Sequence, residues 1–406
     1  MGIKFLGISG HLVSGAPGHF ETFHKGILIA MKESIGQENC NFLGSQTSEE
    51  INSWFDPKLP RSLTSKVPWL PKRFLNSLVP LSDDANDNLI IYIYEGNLAN
   101  LFLLGSLLRQ RRNTFLYFNL FHSNKYKSIL RSNLRLLIFK LLFLLACRGL
   151  DSKVHLSADT KKLAQLLNGK LGKKFAEYPI YSALDLQFNP DNKGKKLLIN
   201  FRGQKSEELI KLAIQRFPTL QGLELDLHGL HDQSIIQDLS RFPNITILPD
   251  QVDESTYFSM YKYYYRVAFI YDPDFFSMQS SGRLADAILA GAQLVVPTNT
   301  SLEDVLNEYG NGTTFSFSSS ESLATALISE PKISKRADYL PSSSRAALRI
   351  LNNMEELIEE SGNVLNQPYQ RAINMALDGS IRGVLWSLRI VFGVGNCLRR
   401  FFKRKS

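Results

Sequence analysis

Cysteine is almost absent: Cys40, Cys147 and Cys397 are the only three in 406 residues. They are far apart, with no CxxC pair and no Cys/His cluster, which excludes a disulfide framework and a thiolate zinc site and points to a reducing compartment. Long apolar runs are missing as well. Leu134–Cys147 is broken by Arg135 and Lys140, and is too short and too charged to span a bilayer. No secretory leader is expected, because the chain opens directly into a strand-like Ile3–Ser9. No repeat of solenoid period is present. Basic residues interleaved with aromatics are also lacking, so nucleic acid is not expected as a partner.

The length suits two or three domains, and the 44% hydrophobic and 21% charged content is that of a folded globular protein. The net charge of +9 is unevenly spread. Residues 1–180 carry 23 Lys/Arg against 13 Asp/Glu, residues 181–380 carry 17 against 25, and residues 381–406 carry 7 against none. A basic first half and a basic tail therefore flank an acidic middle, and the basic parts are the ones expected to meet an anionic partner.

Strand-like and helix-like segments alternate twice. The first series runs through Lys4–Ser9, a helix over Phe20–Glu33, strands at Asn88–Tyr94 and Thr114–Asn119, a long helix over Lys125–Cys147 and a strand at Lys153–Leu156. Phe175–Lys196 holds Pro179 and Pro190 with little periodicity and reads as a boundary. The second series follows: strands at Leu197–Phe201, Leu223–Leu227, Thr246–Leu248, Val267–Tyr271 and Gln293–Pro297, with helices between them, including Ser255–Tyr264 and Arg283–Ala290. Such alternation predicts parallel sheets covered on both faces. The expected organisation is two doubly wound α/β domains, 1–180 and 181–365, facing a cleft, with a helical tail at 366–406. Ligands in such sheets sit beyond the carboxyl ends of the strands.

Residues 267–298 read VAFIYDPDFFSMQSSGRLADAILAGAQLVVPT. Ser280, Ser281 and Gly282 precede the helix and offer N–H groups at its positive end, which suits a diphosphate. Gly282 permits close approach of backbone. Arg202 and Lys205 end a buried strand in LLINFRGQK, where a forked and a flexible cation suit phosphate charge. Asp272 and Asp274 form a D-P-D at a strand end and read as loop caps rather than metal ligands.

This stretch resembles the donor site of glycosyltransferase family 4, with its acidic helical residue followed by A-x-x-x-G-x-P-V-V. Asp286, Ala287, Gly291, Leu294, Val295 and Val296 carry the resemblance. Leu197–Lys205 is similar to the family's strand followed by R-x-x-K-G. Gln293 stands at the family's proline, Ser206 at its glycine, and Met278 at the glutamate eight residues before the helical acid. The resemblance covers about residues 195–330. It implies the GT-B fold and a nucleoside diphosphate sugar as co-substrate, with no cofactor and no metal. Arg202, Lys205, Ser281 and Gly282 would then hold the donor diphosphate and Asp286 the ribose. Gly15, Gly18 and His19 resemble the glycine loop of the first domain.

Glu95 and His122 follow first-half strands at their carboxyl ends. Glu95 is a candidate base or hydroxyl-binding group, and His122 a candidate acceptor-side or catalytic group. Lys127, Arg131 and Arg135 form one stripe of the long helix, and Leu130, Leu134, Leu137, Leu141 and Leu145 another. That apolar stripe suits either a membrane interface or the core. The tail keeps helical spacing from Ile381 to Phe392 and ends in five cations. An anionic membrane surface is the expected partner of these basic amphipathic segments, together with a glycan or lipid-linked acceptor at the cytoplasmic face. A nucleotide-sugar epimerase and a non-catalytic scaffold on the same fold stand as alternatives.

Overall fold

The computed structural model describes residues 2–8, 20–43, 87–94, 96, 98–120, 133–179, 181–182, 196–249, 260–261, 263–333 and 342–364. Two parallel sheets organise them. The first contains β1 (Ile3–Ile8), β2 (Cys40–Leu43), β3 (Asn88–Ile93), β4 (Thr114–Leu120), β5 (Val154–Ala158) and β6 (Ala176–Glu177), in the order β2-β1-β3-β4-β5-β6. The connecting helices are α1 (Phe20–Ile35), α2 (Leu98–Gln110), α3 (Asn133–Cys147) and α4 (Lys161–Leu171).

All seven residues of β4 are buried, as expected for a strand covered on both faces. Leu116, Phe118 and Leu120 join the core beneath α2, α3 and α4. Phe115 and Tyr117 join the opposite core, beneath α1. The period of two thus divides one apolar run between two layers. Buried tyrosines crowd the second layer, where the Tyr92 and Tyr178 hydroxyls share a 2.5 Å hydrogen bond. His155 stacks on Tyr117, and burial pushes its pKa down to about 4.

The second sheet contains β7 (Lys196–Arg202), β8 (Leu225–His228), β9 (Ile245–Leu248), β10 (Tyr264–Tyr271), β11 (Gln293–Pro297), β12 (Asn311–Phe315) and β13 (Lys332–Ile333). Its order is β13-β12-β11-β10-β7-β8-β9, with β13 antiparallel at the edge. Helices α5 (Gln204–Arg216), α6 (Gln233–Leu239), α7 (Pro273–Phe276), α8 (Gly282–Leu289), α9 (Ser301–Tyr309) and α10 (Ser320–Ile328) connect the strands. The parallel order is the doubly wound one, and direction reverses between β7 and β10. These are the two Rossmann-like domains of the GT-B fold.

Three differences from the sequence reading stand out. The helix expected to end at Tyr264 ends at Tyr263, and Tyr264 begins β10, where its hydroxyl donates to Asp226 at 2.6 Å. Strand β12 and helix α10 were not anticipated. Helix α11 (Ser343–Val364), counted with the second domain, packs back on the first: Ala346, Ala347, Ile350, Leu351, Met354 and Leu357 share a core with α1, β3 and β4. The tail beyond residue 364 lies outside the described residues.

Candidate functional site

The carboxyl ends of β7 and β10 meet where the strand order reverses, with Arg202 in register with Tyr271. Gly203 follows at φ 102° and caps α5. A side chain there would be strained in the left-handed region, so glycine is what lets β7 turn directly into the helix. Ser206, at the family's glycine, is buried and donates its hydroxyl to the Arg202 carbonyl at 3.0 Å. Its departure from the pattern thus tightens the same turn.

Arg202 is exposed beside this turn. Lys205 is exposed too, with Nζ 3.7 Å from Asp274 and 4.0 Å from Asp272 across the switch point. Asp272 caps α7 by accepting from the Asp274 N–H at 2.8 Å, the capping role read from the sequence.

The N-terminus of α8 lies on the same edge. Ser281 is its N-cap, and its side chain makes no capping hydrogen bond. Arg283, in the first turn, donates to Asn200 Oδ1 at 3.3 Å and lies 3.0 Å from His228 Nδ1. Since Asn200 is two residues before Arg202 on β7, this contact brings Ser281 and Gly282 to the same edge as Arg202 and Lys205. Asn200, His228 and Arg283 were missed in the sequence. The one available signal was His228–Gly229, which ends β8 at the carboxyl edge.

Asp286 lies one turn into α8. It is 3% exposed and accepts from the Ser182 hydroxyl at 2.6 Å. Ser182 lies on the connection between the domains, next to Tyr181 of the tyrosine cluster. A hydroxyl on a carboxylate is the same chemistry that a ribose would offer.

The loop before α8 is clamped by the first domain. Beyond β5, Asp159 accepts from Ser280 twice, from N–H at 3.0 Å and from Oγ at 2.7 Å. Thr160 caps α4 and donates to the Met278 carbonyl at 2.8 Å. Lys162 donates to the Thr300 carbonyl and pairs with Asp304, at 3.1 and 3.0 Å. The Met278 side chain packs against the first domain's core, so the residue standing at the family's glutamate serves here as a contact between domains. Gln293, at the family's proline, accepts from Arg266 at 2.7 and 3.2 Å, giving that buried guanidinium two of its bonds.

Gly15, Gly18, His19, Glu95 and His122 lie outside the described residues. An open cavity of ≈ 1080 Å³ lies away from this edge, between α9, β12 and α10, with Glu303, Glu308, Glu321 and Glu330 around it. Its acidic lining is unsuited to a diphosphate.

No protein-family model matches the chain, and no curated protein matches its sequence. Solved structures do. A glycosyltransferase from Rickettsia africae superposes with TM-score 0.51 at 11% identity, covering 94% of this chain and 98% of that one. A protein assigned as a UDP-N-acetylglucosamine 2-epimerase from Listeria monocytogenes gives 0.51 at 13%, covering 89% and 98%. The N-terminal domain of Candida albicans trehalose-6-phosphate phosphatase gives 0.50 at 13%, covering 93% and 96%. At such identities the likeness is one of fold, and what this chain shares with all three over most of its length is the pair of Rossmann-like domains of the GT-B fold.

Proposed function

We propose that this chain is a glycosyltransferase that moves a sugar from a nucleoside diphosphate sugar to a hydroxyl of a glycan or lipid-linked acceptor, without a metal, at the cytoplasmic face of a membrane. The observation that carries the reading is the switch-point edge of the second sheet, where Arg202, Lys205 and the N-terminus of α8 converge. In this reading Arg202 and Lys205 neutralise the leaving diphosphate, which is where charge develops. Ser281 and Gly282 supply N–H groups and a hydroxyl to it. Asp286 takes the ribose hydroxyls in place of Ser182. Gly15, Gly18 and His19 form the glycine loop, and Glu95 and His122 serve the acceptor.

The Rickettsia glycosyltransferase supports this reading by its name as well as its fold. The Listeria protein, at the same TM-score, supports a second: epimerisation of the nucleotide sugar with no acceptor. Analysis of the products formed from a nucleotide sugar alone separates the two.

The test is a thermal-shift screen against UDP, GDP, ADP and their sugar conjugates, repeated with Arg202→Ala and Asp286→Ala. A selective shift that both variants lose supports the donor site and names the nucleotide. A folded protein that no nucleotide shifts overturns it in favour of a non-catalytic scaffold.

A further inference from the structure

Helix α3 is apolar on two sides. Phe139, Phe143, Ala146 and Cys147 are buried in the first domain's core. The other side holds Leu134, Leu137, Ile138 and Leu141, at 67%, 53%, 49% and 60% exposure. Their spacing of three, four and seven residues makes them one stripe. Four large aliphatic side chains together on one exposed helical face form a contiguous patch, unlike singly scattered ones, and such patches mark an interaction surface.

The charge beside the stripe says what covers it. At 3.6 residues per turn, Arg135 lies about 100° to one side of Leu134 and Lys140 about 120° to the other. Both have stems long enough to follow an apolar surface while the charged end stays in water. No Asp or Glu occurs between Glu95 and Asp151, whereas nine Lys and Arg do. Residues 381–406 are an unsuitable cover, because they carry seven cations and no carboxylate, and like charges oppose that docking. An apolar stripe between two cations, in a stretch of chain without carboxylates, matches an anionic lipid surface. Among the described residues no helix is long and apolar enough to cross a membrane, so α3 would lie in the plane of the interface.

We infer that the outward face of α3 is a lipid-docking surface that seats the first domain on an anionic membrane, with Leu134, Leu137, Ile138 and Leu141 in the acyl boundary and Arg135 and Lys140 at the headgroups. This deepens the acceptor side of the proposed function, but its evidence is the helix itself. Nucleotide binding, measured separately by thermal shift, distinguishes failure of one from failure of the other.

The experiment is flotation of the full chain with vesicles of phosphatidylcholine, with and without 30% phosphatidylglycerol as an order-of-magnitude anionic fraction. Wild type, Leu137→Glu/Leu141→Glu, Leu137→Gln/Leu141→Gln and Arg135→Gln/Lys140→Gln are compared, each checked by its melting temperature. The inference expects binding to the anionic vesicles, a loss of about tenfold or more in partitioning for both leucine pairs, and a smaller loss for the cation pair. Equal binding of the leucine variants and wild type overturns it, because another segment then makes the contact. Failure of wild type to float overturns it as well. So does equal binding to uncharged vesicles, or sedimentation as a dimer that the leucine substitutions dissolve, since a second copy would then be the cover.

Discussion

The two domains share an architecture and use their sheet edges differently. Where the second sheet's order reverses, the edge is polar and tightly ordered: Gly203 turns, Ser206 holds the turn, Asp272 caps, and Arg283 ties α8 to β7. The first domain buries a layer of tyrosines, with His155 stacked on Tyr117, and exposes leucines on α3. Binding a nucleotide diphosphate draws on backbone N–H groups and a few cations, which the strand–turn–helix unit supplies repeatedly. Contact with an acceptor or a surface has no such common geometry. In the proposed reading, the donor side is built from the fold, and the other side from local composition.

Several substitutions sharpen or break that contrast. The largest effect is expected at Gly312, where an added Cβ would lie 2.0 Å from the Leu294 carbonyl oxygen. Gly312→Ala should cost about 3 kcal/mol or more. Hydrogen exchange should then show β11 and β12 losing protection well before β4; equal loss in both sheets would mean that the domains unfold as one unit. Arg202→Ala comes next. Removing a charge-assisted contact should weaken nucleotide binding by about 1.5–3 kcal/mol with little change in stability. Calorimetric titration with the nucleotide found in the screen measures it, and unchanged affinity would remove Arg202 from the site.

Ser182→Ala takes a donor from a buried carboxylate and should lower stability by about 1–2 kcal/mol in the absence of ligand. If ribose replaces the serine hydroxyl on Asp286, saturating nucleotide should restore part of that loss in a melting experiment, whereas a purely structural serine predicts an equal deficit with and without ligand. The fourth effect is a pH slope in the first domain. His155 falls from an ordinary 6.5 to about 4 because burial disfavours its charged form. Below pH 6.5 the unfolded chain therefore binds the extra proton, and stability should fall as the pH drops from 6.5 towards 4. His155→Gln should flatten that part of the melting-temperature profile; an unchanged slope would assign it to other groups.

Much of the second domain was legible, because a buried strand, a glycine or aspartate turn and an amphipathic helix punctuate the chain clearly. β7, β10, β11 and α8 are such units. β12 escaped notice because Asn311-Gly312 followed by threonines reads as a turn, yet glycine is needed there for the close approach to β11. The contacts that place the site were not legible at all. Asp159 to Ser280 spans 121 residues and Ser182 to Asp286 spans 104, and a lone hydroxyl or carboxylate carries no mark of its distant partner. Helix α11 was recognisable as a helix from its apolar spacing, but that spacing does not say which sheet it covers.

That return of α11 bears on how the chain matures. Synthesis proceeds from the N-terminus, and domains generally fold in the order they emerge. Here the wall of the first domain formed by Ala346 to Leu357 leaves the ribosome only after all of the second domain. The earlier-made half must wait with an open apolar flank of β3 and β4 while the later-made half can already close. Chains ended at residue 340 and released from the ribosome should therefore present a protease-resistant second domain and a first domain in need of a chaperone.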